Sequence, residues 1–179
     1  MLAVNRNNYH KDGSVGQVVK DTEIKILDNE ILVKGKIVML GYYKDEKSTK
    51  EVIKNGYFHT GDFGYLDSDG FLFITGRKKN LIILSNGENI SPETIEEKLM
   101  QDKGVCEVVI YSKNNKLIAA IYPNEEYIGN KKYFDNLIYK YNQNIPKNHQ
   151  IAKINLWDKD LPKNNNRKIL RKEVMEEER

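Results

Sequence analysis

A chain of 179 residues has room for one ordinary domain or two small ones. Its 39% hydrophobic and 31% charged residues give the composition of a globular protein and exclude intrinsic disorder. The formal charge of +3 fits a phosphate-rich ligand, nucleic acid or plain solubility equally well, while Cys106, the only cysteine, excludes an internal disulfide and any cysteine-rich metal site.

The start has no apolar signal segment, and no run approaches the roughly 18–20 residues that cross a bilayer. The expected location is cytoplasmic, without a transmembrane anchor, and peripheral contact with a membrane stays open. The first dozen residues are polar and are expected to be frayed or truncated. From Gly16 to about Gly76, short apolar segments alternate with turn residues. Val18-Val19 and the segments 23–27, 30–34 and 36–40 are predicted strands, several with period-two alternation. Asp28-Asn29 marks a tight turn between two of them. The polar connection 43–53 carries a short predicted helix over 48–52. Asp67-Ser-Asp-Gly70 closes a predicted hairpin between 63–66 and 71–74.

After Arg77 the pattern changes. Ser91 suits a helix cap, Pro92 the first helical position and Glu93 the positive helix end. Ile95 and Leu99 then share a face. Segments 107–111 and 116–122 read as buried strands joined by a Lys-Asn-Asn turn. A helix follows over 133–141, with Tyr133, Leu137 and Tyr141 at four-residue spacing. A further strand is expected over 151–157 and a terminal helix over 169–178. The change from strand-rich to mixed sequence places a boundary at 76–79. Cys106 lies in an apolar run and reads as an inert, buried thiol.

Four segments carry chemistry-bearing residues. In Thr60-Gly61-Asp62, an ionised Asp at a strand end offers two acceptor oxygens that suit neighbouring hydroxyls such as those of ribose, or an Asx-turn that caps the strand. Arg77, Lys78 and Lys79 form a cationic cluster suited to ribose or phosphate, or to a solvated linker. The loop Ser85-Asn-Gly-Glu-Asn89 precedes the capped helix and fits either an anionic ligand or a plain strand-to-helix turn. Lys163, Arg167, Lys168, Arg171 and Lys172 form a charge run with no acid among them. Such a run can bring charge to a reacting phosphate, or serve as a solvated basic tail.

Taken in order, Tyr57-Phe-His-Thr-Gly-Asp-Phe-Gly-Tyr65 and the run from Gly76-Arg-Lys-Lys-Asn through Ser85-Asn-Gly-Glu-Asn-Ile-Ser-Pro to Glu96 resemble signatures of the adenylate-forming enzymes, the AMP-binding acyl-CoA synthetase family. Gly13-Ser-Val-Gly16 and the segment 30–43 resemble two further family signatures. The form Leu-Ser-Asn-Gly-Glu-Asn-Ile-Ser-Pro is most similar to the long-chain fatty acyl-CoA synthetase branch. The resemblance covers nearly the whole chain but corresponds to the C-terminal part of such an enzyme. It implies an α+β fold: a small strand-rich, barrel-like subdomain at 1–76 belonging to the large adenylation domain, a hinge at 77–79, and a small mobile domain at 80–179 with a three-stranded sheet flanked by helices.

The resemblance also assigns roles. Asp62 would bind the ribose hydroxyls of ATP and of the acyl-adenylate, with Arg77 assisting at ribose or phosphate. Lys79 would be the hinge residue, and Gly87 would approach the active site when the thiol acceptor binds. Lys168 would hold carboxylate and α-phosphate together during adenylation. Its family motif usually has Gly immediately before the lysine, whereas this chain has Arg167. The implied reactants are ATP, magnesium (Mg²⁺), coenzyme A and a carboxylic acid, a fatty acid by the branch resemblance. No phosphate loop, adenine-stacking motif or acyl pocket is found, so an upstream adenylation domain is the expected partner and the isolated chain is expected to be inactive. A carrier- or partner-binding module without enzymatic activity is the alternative. Specific nucleic-acid binding is not expected, because no RNA-binding motif or stacking platform accompanies the basic run.

Overall fold

The computed structural model describes residues 2–177, and the chain forms two compact units, Met1–Asn80 and Leu81–Arg179. The first contains β1 (Ala3–Val4), β2 (Gly16–Val18), β3 (Thr22–Leu27), β4 (Glu30–Gly35), α1 (Glu46–Val52), β5 (Ile53–Lys54), β6 (Tyr57–Leu66) and β7 (Phe71–Arg77). Seven strands form one antiparallel sheet in the order β1-β2-β7-β6-β4-β3, with β5 added against β6. Ile24 and Ile26 alternate with exposed neighbours along β3 and pack on Ile31, Val33 and Leu72. Asp28 and Asn29 both take positive φ, 49° and 64°, as a two-residue hairpin turn demands.

The barrel-like closure expected of this part is not formed. The sheet is open, with β1 and β3 as its two edges. Closure needs edges that can share a ladder, and a two-residue β1 cannot match the six residues of β3. Segment 36–40, expected as a strand, is instead a bend that starts where Val38 N–H donates to Gly35 C=O at 3.1 Å and leaves Leu40 exposed. The polar start is not frayed. Ala3–Val4 pairs with β2, and Lys11 reaches Asp67 and Asp69 at 2.5 Å each while lying 5.1 Å from the Phe71 ring centre. Helix α1 begins two residues earlier than expected because Asp45 caps it and accepts the Ser48 N–H at 2.9 Å.

The second unit contains β8 (Ile82–Ile83), β9 (Asn89–Ile90), α2 (Pro92–Met100), β10 (Val105–Lys113), β11 (Lys116–Pro123), α3 (Lys131–Asn142), β12 (Ile151–Leu156) and α4 (Arg171–Glu177). Its main sheet has the order β10-β11-β12, antiparallel then parallel, and the parallel step is made by the crossover through α3. Both faces are covered. Val108, Ile110, Leu117, Ala119 and Ile121 pack under Ile95 and Leu99 of α2 and Phe134 and Ile138 of α3. Val109, Tyr111, Ile118 and Ala120 pack instead under Leu161 and Val174. This is the expected three-stranded sheet flanked by helices. Tyr133, Leu137 and Tyr141 flank the buried stripe of α3 and do not form it. The terminal helix begins at Arg171, since Ile169 is bridged to Lys163, and Glu178 lies outside the described residues.

Tyr133 donates its hydroxyl to Asp102 at 2.7 Å, which with partial burial pushes its pKa up to about 12. The folded state therefore favours the protonated phenol. Its stabilising contribution is complete below the ordinary value of 10.0 and is lost as pH rises through about 12. Titration at 295 nm should show one tyrosinate fewer by pH 11 in the wild type than in the Asp102→Asn variant.

Candidate functional site

In the first unit the segment 60–62 is a bulge. Leu32 of β4 faces His59 and Glu30 faces Phe63, so Thr60, Gly61 and Asp62 together lie opposite Ile31. Gly61 takes φ +69°, the left-handed region that a Cβ disfavours. Thr60 Oγ1 donates to Ile31 C=O at 2.8 Å and accepts the Asp62 N–H at 3.0 Å. The turn thereby delivers Asp62 opposite Arg77 of β7, whose Nε lies 3.0 Å from Asp62 Oδ1. That oxygen is enclosed yet has no partner in hydrogen-bond geometry. Ion pairing alone offsets its burial, so it retains capacity to accept. Lys79 is exposed in a single 3-10 turn, Lys78–Asn80, directly after β7.

Glu30 was not singled out by sequence reading. It opens β4 as the first residue of an apolar run and is buried, with Lys78 Nζ at 3.0 Å and Gly61 N–H at 3.1 Å. Burial pushes its carboxyl up, but Lys78, His59 and the Gly61 N–H together hold it below the ordinary range. An acid at a core-facing position of a strand is the signal that marks it.

The second unit presents two loops of one design. At 84–88, Leu84 N–H donates to Glu88 C=O and Gly87 N–H to Leu84 C=O, both at 2.9 Å, with Gly87 at φ +80°. At 164–168, Asn164 N–H donates to Lys168 C=O and Arg167 N–H to Asn164 C=O, again at 2.9 Å, with Arg167 at φ +60°. Each is a turn followed by a left-handed bulge residue, a position that favours glycine. A Cβ on Gly87 would meet nothing within 4 Å, so the backbone conformation, not crowding, sets the preference there. At 167 an arginine carries that conformation, held by Asn164 Oδ1, which accepts from Asn166 and Lys168 N–H at 3.0 Å. Arg167→Gly should raise stability by about 1 kcal/mol, read as a higher urea midpoint with unchanged slope.

The Gly87 loop is braced on both shoulders. Ser85 N–H donates to Asn115 Oδ1 at 2.9 Å, and Glu88 accepts from Asn148 and lies 2.8 Å from His149 Nε2. The basic run divides in two. Lys163 pairs with Glu107 and, at 2.7 Å, with Asp160, while Arg171 grips Glu96 and Ile110 C=O. Lys168 is exposed, and no ion pair or hydrogen bond holds its ammonium among the described residues. Cys106 is half-buried, and burial pushes its thiol up, away from the reactive thiolate. Among the described residues, no three His, Cys, Asp or Glu side chains gather to hold a metal.

Thus Asp62 and Arg77 are joined directly, Lys79 follows them in sequence, and Gly87 and Lys168 occupy separate loops of the second unit. The model of the AMP-binding enzyme C-terminal domain matches residues 79–177. The chain belongs to this family of adenylate-forming acyl-CoA ligases and carries its C-terminal domain. It is 37% identical to the long-chain-fatty-acid–CoA ligase FadD15 of Mycobacterium tuberculosis over 67% of its length and 20% of that protein. It is 34% identical, over all of its length and 34% of the relative, to the long-chain-fatty-acid–CoA ligase of Salmonella typhimurium. The o-succinylbenzoate CoA synthetase of Bacillus subtilis, solved with the acyl-adenylate OSB-AMP, aligns with a TM-score of 0.75 and 30% identity over 90% of this chain and 35% of that one. The same enzyme solved with ATP and magnesium aligns with a TM-score of 0.73 and 32% identity, over 92% of this chain and 36% of that one. The chain therefore spans between a fifth and about a third of the proteins it matches.

Proposed function

We propose that this chain is the C-terminal portion of an ATP-dependent fatty acid–CoA ligase that makes an acyl-adenylate and then the acyl-CoA. The observation that carries the reading is Asp62 Oδ1, enclosed, charged and without a hydrogen-bond partner at the head of a bulge. In this reading the ribose hydroxyls donate to the Asp62 carboxylate, and Arg77, paired with it at 3.0 Å, holds it turned toward them. Lys168 places its ammonium beside the carboxylate oxygen that attacks the α-phosphorus, where negative charge accumulates as pyrophosphate leaves. Lys79 is the pivot that exchanges the Lys168 loop for the Gly87 loop between half-reactions, after which coenzyme A thiolate attacks the acyl carbon and AMP departs. Mg²⁺ would enter with the phosphates of ATP, whose charge it balances; among the described residues no three His, Cys, Asp or Glu side chains gather to hold it. The fatty-acid assignment is supported by the Leu84-Ser-Asn-Gly-Glu-Asn-Ile-Ser-Pro92 segment and by the 37% and 34% identical long-chain ligases.

Calorimetric titration of the purified chain with AMP tests the ribose assignment. Saturable, stoichiometric binding that disappears in Asp62→Ala is expected. A folded Asp62→Ala chain with unchanged AMP affinity would overturn it.

A further inference from the structure

Glu30 is the one buried charged residue among the described residues, and the roles assigned above to Asp62, Arg77, Lys79, Gly87 and Lys168 leave it without one. Its two oxygens are used on separate tasks. Oε1 accepts the Gly61 N–H at 3.1 Å, while Oε2 accepts from Lys78 Nζ at 3.0 Å and lies 3.4 Å from His59 Nδ1. The bulge at 60–62 has three residues opposite one, so it lacks regular ladder bonds at its centre. Two side chains replace them: Thr60, from inside the bulge, and Glu30, from the facing strand. Without Glu30 the Gly61 N–H would be stranded beside a glycine whose backbone has many other conformations available. Asp62 is the next residue along.

We propose that Glu30 is the positioning residue of the nucleotide half-site: through Gly61 it fixes the height at which Asp62 meets a vicinal diol, and through Lys78 it anchors the end of the strand that carries Arg77. This rests on the reading of Asp62 as the ribose ligand. The two partners make the proposal specific. A merely structural acid would raise overall stability, whereas this one sets the discrimination between a ribose and a deoxyribose.

The test compares AMP with 2′-deoxy-AMP on the 179-residue chain, in wild type, Glu30→Gln and Glu30→Ala. Gln retains an acceptor for the Gly61 N–H, and Ala does not. Wild type should prefer AMP, Glu30→Gln should keep most of that preference, and Glu30→Ala should lose about tenfold of it. In parallel, hydrogen exchange at the Gly61 amide should be slow in wild type and Gln and fast in Ala. A preference retained in Glu30→Ala, or a Gly61 amide that exchanges equally slowly in all three, overturns the role of Glu30. A wild-type chain with no diol preference overturns the ribose reading of Asp62 and the nucleotide part of this proposal, and Gly61 exchange then decides the strut by itself.

Discussion

Arg171→Ala should destabilise the second unit by about 3 kcal/mol, a loss far above that of ordinary surface pairs. The guanidinium donates to Glu96 through Nη1 at 2.5 Å and Nη2 at 3.0 Å, and Nη1 also donates to Ile110 C=O at 2.6 Å. Glu96 in turn accepts the Ile110 N–H at 2.6 Å. One residue of α4 therefore closes a network with α2 and the central part of β10. Truncation leaves a carboxylate that is only 15% exposed without its partner. Urea unfolding reads the loss, and the double variant Glu96→Leu, Arg171→Met should recover most of it, because the cost is the unpaired charge. A single variant that unfolds at the wild-type midpoint would show the pair to be ornamental.

Joined to an upstream adenylation domain, Lys168→Ala should slow acyl-adenylate formation by about 10²–10³-fold. Thioester formation from a supplied acyl-adenylate should stay near wild type. The separation follows from geometry: the Lys168 ammonium is exposed and unpaired among the described residues, while Lys163 and Arg171 are bound to acids at the loop's base. Pyrophosphate release and acyl-CoA production, measured separately, give the two rates. Equal losses in both would remove Lys168 from the adenylation step.

Local signals carried well from sequence to structure. Asp28-Asn29, Asp67–Gly70 and the helix start at Pro92 declare themselves because turns and helix starts depend on a few adjacent residues. The Ser91 hydroxyl, however, donates to the Glu93 carboxylate and makes no capping bond to the backbone. Long-range pairing was less legible. Whether the first sheet closes depends on strands β1 and β3, which are far apart in its order, and no residue of either advertises the outcome. Glu30 was overlooked for the same reason, since its partners Gly61 and Lys78 lie 31 and 48 positions away. The charge run at 163–172 reads as uniform in one dimension. Only Glu96, Glu107 and Asp160 separate its structural members from Lys168. Arg167 stood out as a departure from the family pattern, and the positive φ now gives the physical reason that glycine is usual there.

The parallel pairing of β12 sets the order in which the second unit can assemble. Strands β10 and β11 meet through a two-residue turn, so they can pair early with little loop-closure cost. Strand β12 must wait until the whole segment through α3 has folded back. Until then the edge of β11 stays open along Leu117–Ile121, five residues that are all buried in the finished molecule. A nascent or truncated chain that ends before Ile151 thus exposes an apolar strand edge, the feature most prone to capture by another unfinished copy.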